Sequence, residues 1–320
     1  AVAAAVGLGL LFLGGREKTL FVAVAILHAA LCYFLAFAGP ATAHINAAHL
    51  EPGQRGRHAG IYGALAFPAE FLALAAGLWL SARLPSKTVF FLPAVACLIA
   101  FFAALRAPHT ALPREARSGL AELRTLAQNG SIRILAALEV CAGAVRWGLL
   151  GWSAQFLSEV HHIRPGEPHF GSALITVAAG ALAGPVLCGL ISDKLFNGRR
   201  GPAALSFFLT QAAVLAALGR ATDPVHAIAC LGLASAASFG VHALLCGAGA
   251  LDSGGRRSAA TVSGVLDGFH HAAGGLCILL VGMFVNRHGW GAWTATLIPF
   301  SLAGALTTFA LRTEARDPSL

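Results

Sequence analysis

The chain has 320 residues, of which 57% are hydrophobic and only 11% are charged, and its formal net charge is +8. An average soluble chain carries about 25% charged residues, so this composition excludes a soluble globular protein and an intrinsically disordered one. The basic residues are spread through many short loops, which argues against a nucleic-acid-binding face. A mean hydropathy of +0.73 instead indicates a helical protein with several membrane-spanning segments.

The apolar segments, taken in chain order, predict the fold. A helix needs about 20 apolar residues to cross about 30 Å of hydrocarbon. Most of the apolar segments are near this length, and they lie near residues 1–13, 20–39, 59–81, 88–105, 134–157, 170–192, 202–219, 225–248, 258–285 and 291–311. We therefore expect an all-α polytopic membrane protein with about ten transmembrane helices.

A long polar segment at 107–131 divides these spans into four and six. A six-span bundle that follows a long linker is typical of one half of a two-bundle secondary transporter. We predict an incomplete N-terminal helical bundle at 1–106, an inner-side linker at 107–131 and a C-terminal six-helix bundle at 132–320. About twice as many lysines and arginines lie on the linker side as on the other side, which places the C-terminus on the cytoplasmic or equivalent side of an unknown membrane.

Ionisable side chains in the middle of spans are functional candidates, because a charge at the bilayer centre costs about 2.5–3.5 kcal/mol. Arg146, followed by Trp147, lies in the middle of its span, and Glu70 lies in the middle of 59–81. The arginine fork suits a phosphate or carboxylate held by two parallel hydrogen bonds. The alternative is structural: a carbonyl or Glu70 satisfies the arginine, and Glu70 only balances its charge.

Histidines form a second group of candidates. His270 and His271 lie at mid-depth, one turn beyond Asp267, and suit substrate donors or a proton relay. Adjacent helical positions diverge by about 100°, so at most one of the two faces a cavity, and packing against a neighbouring helix is the alternative.

The outer-loop histidines and the cysteines are not predicted to bind a metal or to take part in catalysis. Three histidines in an outer loop are expected to be solvated, namely His161, His162 and His169. The cysteines lie in apolar segments without a C-x-x-C pair and are expected to be buried hydrophobes. We predict neither a metal site nor a cofactor, and the chain carries no motif that indicates an enzyme.

Four stretches of sequence carry a family resemblance. Residues 184–201 read GPVLCGLISDKLFNGRRG, and this stretch resembles the inner-loop signature of the major facilitator superfamily. Residues 145–162 read VRWGLLGWSAQFLSEVHH, and with AATVSGVLDG at 259–268 and VNRHGW at 285–290 they resemble the organophosphate:phosphate antiporter family. The resemblance is close over about 130–312 and loose over 39–106.

The resemblance implies a mechanism and a set of roles. It implies exchange of glycerol-3-phosphate or a sugar phosphate for inorganic phosphate by alternating access. Arg146 then corresponds to one of two arginines that grip the phosphate from opposite halves, with Trp147 and one of the two mid-span histidines lining the cavity. The inner-loop charges correspond to a gate, formed by Asp193, Arg199 and Arg200.

The chain departs from the family pattern in its first half. The other phosphate arginine belongs to a first span that we expect this chain to lack, together with the second span. His44 stands where related chains carry an arginine, and Ala66 or Phe67 replaces their fifth-span histidine. The expected function is phosphate-ester exchange in a lipid bilayer, and the alternative is a transport-inactive subunit with a structural role beside other membrane-complex subunits.

Overall fold

The computed structural model describes residues 86–106 and 120–314, together with isolated positions between 26 and 66. Helix α1 (Ser86–Arg106) is followed by a short amphipathic helix, α2 (Leu120–Gln128), within the predicted linker. The long helices that follow are α3 (Gly130–Val160), α4 (Pro168–Leu190), α5 (Arg200–Leu218), α6 (Pro224–His242), α7 (Ala250–His288) and α8 (Gly291–Glu314). The regular secondary structure of the described residues is helical throughout.

Local sequence signals fix the ends of these helices. The Asn129 side chain accepts a hydrogen bond from the Ile132 amide at 3.3 Å and caps α3, and Asp223 caps α6 by accepting from the His226 amide at 2.8 Å. Pro224 occupies the first turn of α6, where its missing N–H costs nothing. Two π-helical segments extend the regular helices, Ile191–Leu195 after α4 and Ala243–Gly249 between α6 and α7.

Within the described residues, six helical segments are long and apolar enough to cross a membrane. They are Gly130–Val160, Pro168–Leu195, Arg200–Leu218, Pro224–Gly254, Ser258–His288 and Gly291–Leu311. They agree with the last six predicted spans, and the largest difference is at the end of 225–248, because the first turn of α7 continues this span beyond the π-helical segment to Gly254. The predicted total of ten stays a prediction, because the spans near 1–13, 20–39 and 59–81 lie outside the described residues apart from isolated positions.

Small residues set the closest helix contacts of the bundle. Helix α3 packs most extensively against α7, and α4 against α6. A Cβ atom added at Gly143 would overlap the main-chain carbonyl of His270, and one added at Gly274 would overlap the Trp147 ring. Lipid offers helices no hydrophobic drive to associate, so close approach at small residues provides the packing energy. The crossing of α3 and α7 therefore brings Trp147 and His270 into the same region of the bundle.

Candidate functional site

Arg146 lies near the middle of α3 and is only 2% exposed. Its guanidinium carbon is 4.1 Å from the centroid of the Phe239 ring and 5.1 Å from that of the Trp147 ring. A desolvated cation gains about 2 kcal/mol from such a contact with an aromatic face. The two rings flank the cation, which suits a guanidinium whose N–H groups bind polar partners at its edge.

A buried carboxylate lies on the same helix, about two turns before Arg146. Glu139 is 0% exposed, and its Oε2 atom is 3.0 Å from Nδ1 of His242 and 2.8 Å from Nδ1 of His270. The two imidazole rings lie against each other with their centroids 4.1 Å apart. Helices α3, α6 and α7 thus each contribute one ionisable side chain to a single buried contact.

A second carboxylate extends this cluster toward the surface. Asp267 Oδ1 lies 3.8 Å from Nε2 of His242 and 3.4 Å from Nδ1 of His271. The His271 side chain is 53% exposed and its ring packs 5.4 Å from the Trp147 ring. The cluster therefore runs from an exposed imidazole to a fully buried carboxylate.

Several buried polar atoms in this region make no hydrogen bond with the part of the chain that the structure describes. They are Glu139 Oε1, Trp147 Nε1 and His270 Nε2. Buried polar atoms are nearly always hydrogen-bonded to protein or to ordered water. These three atoms, one acceptor and two ring nitrogens, are therefore suited to bind water or a small polar ligand.

Two of the three predicted gate residues, Asp193 and Arg200, belong to an ion-pair cluster at the end of the bundle that bears the loop after α4. The Arg200 guanidinium donates to Asp193 at 2.7 Å, to Ser192 at 2.9 Å and to Asp252 at 3.1 Å. Arg199, by contrast, is exposed at the first residue of the turn into α5. The contacts of Arg200 join α4, α5 and α7 within one bundle.

The two adjacent histidines of α7 point in different directions, as helical geometry requires. His270 is 0% exposed and contacts Glu139, whereas His271 is exposed and stacks beside Trp147. Glu70, His44 and Phe67 lie outside the described residues. Ala66 is helical and half-buried.

The outer-loop histidines are spread over different surroundings. His162 and His169 are exposed, whereas the His161 ring packs edge-on to Phe156 at 5.1 Å. Burial lowers the pKa of His161 below its ordinary value, and the nearby His162 acts in the same direction, while Asp223 opposes both. A neutral His161 is thus favoured at the end of α3.

Sequence reasoning missed Glu139. The rule that selected Arg146, an ionisable residue inside an apolar span, applies equally to a glutamate at position 139. The sequence does not predict the pairing of Glu139 with His242 and His270. These two histidines are 103 and 131 positions away from Glu139 along the chain.

The fold and the buried mid-span charges define a polytopic membrane protein of the transporter class. Residues 1–277 match the Major Facilitator Superfamily, and the chain belongs to this family. Its members are transporters, so the family assignment favours a transport protein over an enzyme.

Curated relatives and solved structures show what the chain is similar to. A glycerol-3-phosphate transporter of Haemophilus influenzae is 37% identical over 90 residues, which are 28% of this chain and 18% of that protein. A glycerol-3-phosphate transporter of Bacillus subtilis is 30% identical over 161 residues, 48% of this chain and 35% of that protein. These matches span about a third or less of the relatives' length.

Among solved structures, the human organic anion transporter MFSD10 (TETRAN) superposes with a TM-score of 0.67. The superposition covers 97% of this chain and 74% of that one at 18% sequence identity. At this identity the likeness shows the fold alone.

Proposed function

We propose that the chain exchanges a small organic phosphate, glycerol-3-phosphate or a sugar phosphate, for inorganic phosphate by alternating access. The observation that carries the proposal is the guanidinium of Arg146, 2% exposed at mid-span in a member of a transporter family. The two relatives named as glycerol-3-phosphate transporters support a phosphate ester as substrate.

The chemistry of the site fits a phosphate oxyanion. Arg146 presents a fixed positive charge and a planar set of donors that match two phosphate oxygens. The Trp147 ring lies 5.1 Å from the guanidinium carbon, and the His271 ring lies 5.4 Å from the Trp147 ring. Trp147 would supply an apolar wall and His271 an imidazole donor, and movement of Phe239 away from Arg146 would exchange its aromatic contact for one with the substrate. Glu70, from the first half of the chain, is the proposed counter-charge.

Alternating access also needs an element that opens and closes at the inner side. We assign this role to the inner ends of the helices that the ion pairs of Arg200 with Asp193 and Asp252 hold together, with Arg199 as a neighbouring surface charge. Rocking of helix bundles around a fixed site is the general mechanism of such transporters. The inner side is taken as cytoplasmic from the distribution of basic residues.

The direct test is phosphate exchange in reconstituted vesicles. The full chain is reconstituted with unlabelled phosphate inside and labelled phosphate outside, and exchange is compared with that of Arg146→Ala. We expect phosphate exchange by the alanine variant to fall by a factor of about 30 or more. The reason is that losing one partner of a charge-assisted hydrogen-bonded pair costs about 2 kcal/mol or more of binding free energy. Exchange by Arg146→Lys should lie between that of the unaltered chain and that of Arg146→Ala, because lysine keeps the positive charge and lacks the planar guanidinium fork.

The matched control is Arg133→Ala, which removes an exposed arginine from the same helix. It should exchange phosphate like the unaltered chain. Equal exchange by the Arg146→Ala variant, or competition by neutral glycerol as strong as that by glycerol-3-phosphate, contradicts the proposal.

A second candidate function is a transport-inactive subunit of a larger membrane complex. The burial of Arg146 against Phe239 favours it, because a cation covered by an aromatic ring is also a plausible packing element. This function predicts stoichiometric copurification with a membrane complex and no phosphate exchange by the unaltered chain.

A further inference from the structure

A chain of ionisable side chains leads from His271, at the edge of the proposed phosphate site, into the C-terminal bundle. It runs through five groups, His271, Asp267, His242, Glu139 and His270. The contacts along it, in that order, are 3.4, 3.8, 3.0 and 2.8 Å. Its outer end is exposed and its inner end is 0% exposed. A connected series of ionisable groups that leads into a membrane-embedded bundle is suited to carry a proton.

The hydrogen-bond pattern restricts where an extra proton resides. An ionised carboxylate only accepts, so both Nδ1 atoms that contact Glu139 Oε2 must carry a hydrogen. Each ring is then neutral unless its Nε2 atom is protonated as well. Nε2 of His242 faces Asp267 at 3.8 Å, whereas Nε2 of His270 has no hydrogen-bond partner among the described residues. The proton is therefore best placed on His242, between two carboxylates.

The charge balance of the buried cluster supports a bound proton. Glu139 and Asp267 supply two carboxylates, and a protonated His242 places a positive charge between them. Among the described residues, the other titratable groups near this point include Arg146 on α3, Cys246 on the segment after α6, and His270 and His271 on α7. Burying charge is tolerated when opposite charges and hydrogen bonds balance it.

The exposed part of the chain lies where the two halves of the protein meet. Gly39 lies against Asp267, because a Cβ atom placed on it would be 3.7 Å from Asp267 Oδ2. Pro40 lies against the same face of α7, with its Cγ atom 3.2 Å from a Cβ placed on Gly264. A group at this interface changes its access to water whenever the halves move relative to each other.

A metal ion is the competing occupant of this region. Ligand atoms of Glu139, His242 and Cys246 lie within 4.8 Å of one another. Tetrahedral zinc with bonds of about 2.0–2.1 Å holds nitrogen and oxygen ligands roughly 3.3–3.5 Å apart. The observed contacts of 3.0 and 2.8 Å are shorter and have the length of hydrogen bonds. The geometry thus favours protons over a metal.

We propose that His242, held between Glu139 and Asp267, is a proton-binding site that couples transport to proton movement, and that His271 is its entrance. The proton passes from water through His271 and Asp267 to Nε2 of His242. It leaves by the same groups once the interface has opened to the other side. No other reactant is consumed. The coupling rests on the proposed transport function, whereas the proton binding does not.

Proton binding is tested without any substrate. The full chain, labelled with ¹⁵N-histidine, is titrated in detergent, and the His242 signals are assigned by their loss in His242→Gln. We expect His242 to change between the neutral ring and the imidazolium over about pH 5 to pH 8. His226→Gln is the matched control, because it removes an exposed histidine from the other end of the same helix. A His242 that keeps one protonation state over this range overturns the proposal.

Coupling is tested in vesicles that contain inorganic phosphate, as the exchange substrate, and a pH-sensitive dye. Addition of glycerol-3-phosphate to the unaltered chain and to His226→Gln should move protons across the membrane. His242→Gln, and independently Asp267→Asn, should lose this proton flux and the dependence of uptake on an imposed pH gradient. Uptake by these variants that keeps the same dependence on the gradient overturns the coupling.

Two further results separate the alternatives. If the unaltered chain exchanges no phosphate and takes up no glycerol-3-phosphate, the proposed function fails, and the histidine titration still decides the proton site. Binding of one equivalent of Zn²⁺ that Cys246→Ser abolishes overturns the proton site in favour of a metal.

Discussion

Arg200 shows at the scale of single residues how one guanidinium holds several elements together. Its side chain is 14% exposed and it contacts Asp193, Ser192 and Asp252 with separate N–H groups. Hydrogen bonds to charged groups contribute about 1.5–3 kcal/mol when they are shielded from water. The Asp252 side chain is 38% exposed, so its ion pair with Arg200 stabilises the protein less than the pair with Asp193 does.

Arg200→Gln should destabilise the protein by about 1–3 kcal/mol, because it leaves Asp193 and Ser192 without their cationic donor. The measurement is thermal unfolding of the purified chain in detergent. Arg199→Gln is the control and should change stability by less than about 0.5 kcal/mol, since that side chain is exposed. Equal losses in the two variants would mean that net charge matters here and the specific contacts do not.

Residue chemistry was only partly predictable from the sequence. Arg146 stands out because a charge inside an apolar segment is costly, and its burial at mid-span agrees with that reasoning. Its contact with Phe239 was not predictable, since the two residues lie on different helices. The same holds for Glu139, whose partners come from α6 and α7.

At the scale of elements, the crossing of α3 and α7 places the candidate site. Gly143 brings the backbone of α3 against the carbonyl of His270, and Gly274 leaves room for the Trp147 ring. Both helices contribute charged groups to the site, so their separation sets the contact between Glu139 and His270. A change of a few tenths of an ångström at this crossing alters the whole cluster.

Gly143→Ala should lower the free energy of unfolding by about 1–3 kcal/mol or more. The added methyl group overlaps main-chain atoms, which cannot rotate away as a side chain can. Thermal unfolding measures the loss. Gly275→Ala on α7 is the matched control, since a Cβ there meets no atom within 4 Å and alanine is the better helix former. If Gly143→Ala unfolds at the same temperature as Gly275→Ala, the two helices do not pack as closely as described.

The elements themselves followed closely from hydropathy. The six described spans lie where the apolar segments predicted them, because a helix that crosses lipid must be apolar along its length. Their ends depended on other features. Asn129 and Asp223 cap two helices, and the first turn of α7 continues the span predicted at 225–248 beyond the π-helical segment Ala243–Gly249 to Gly254.

At the scale of the whole molecule, the short connections between consecutive spans predict that the spans alternate in direction and that successive loops lie on opposite sides of the membrane. On this prediction the loop after α4 and the linker belong to one side, and the loop after α5 to the other. Basic residues are enriched on the first side, which predicts that it is cytoplasmic.

Labelling of single introduced cysteines checks this orientation. Arg220→Cys should react with a membrane-impermeant thiol reagent in intact cells, because Arg220 is exposed at the outer end of α5. Arg199→Cys should react only after the membrane is permeabilised. The unaltered chain gives the background from native cysteines, and the reverse pattern would invert the proposed topology.

The sequence alone determined that this is a helical membrane protein, where its described spans lie, and that Arg146 places a charge in the middle of one of them. Each of these conclusions rests on a local cost, since every residue placed in lipid carries its own transfer free energy. Only the tertiary structure decided that Glu139, His242 and His270 meet, and that Asp267 faces the first half of the chain. Such contacts depend on how helices that are far apart in sequence cross each other. The chain has 37 glycines, and the sequence does not show which of them allow two helices to approach closely.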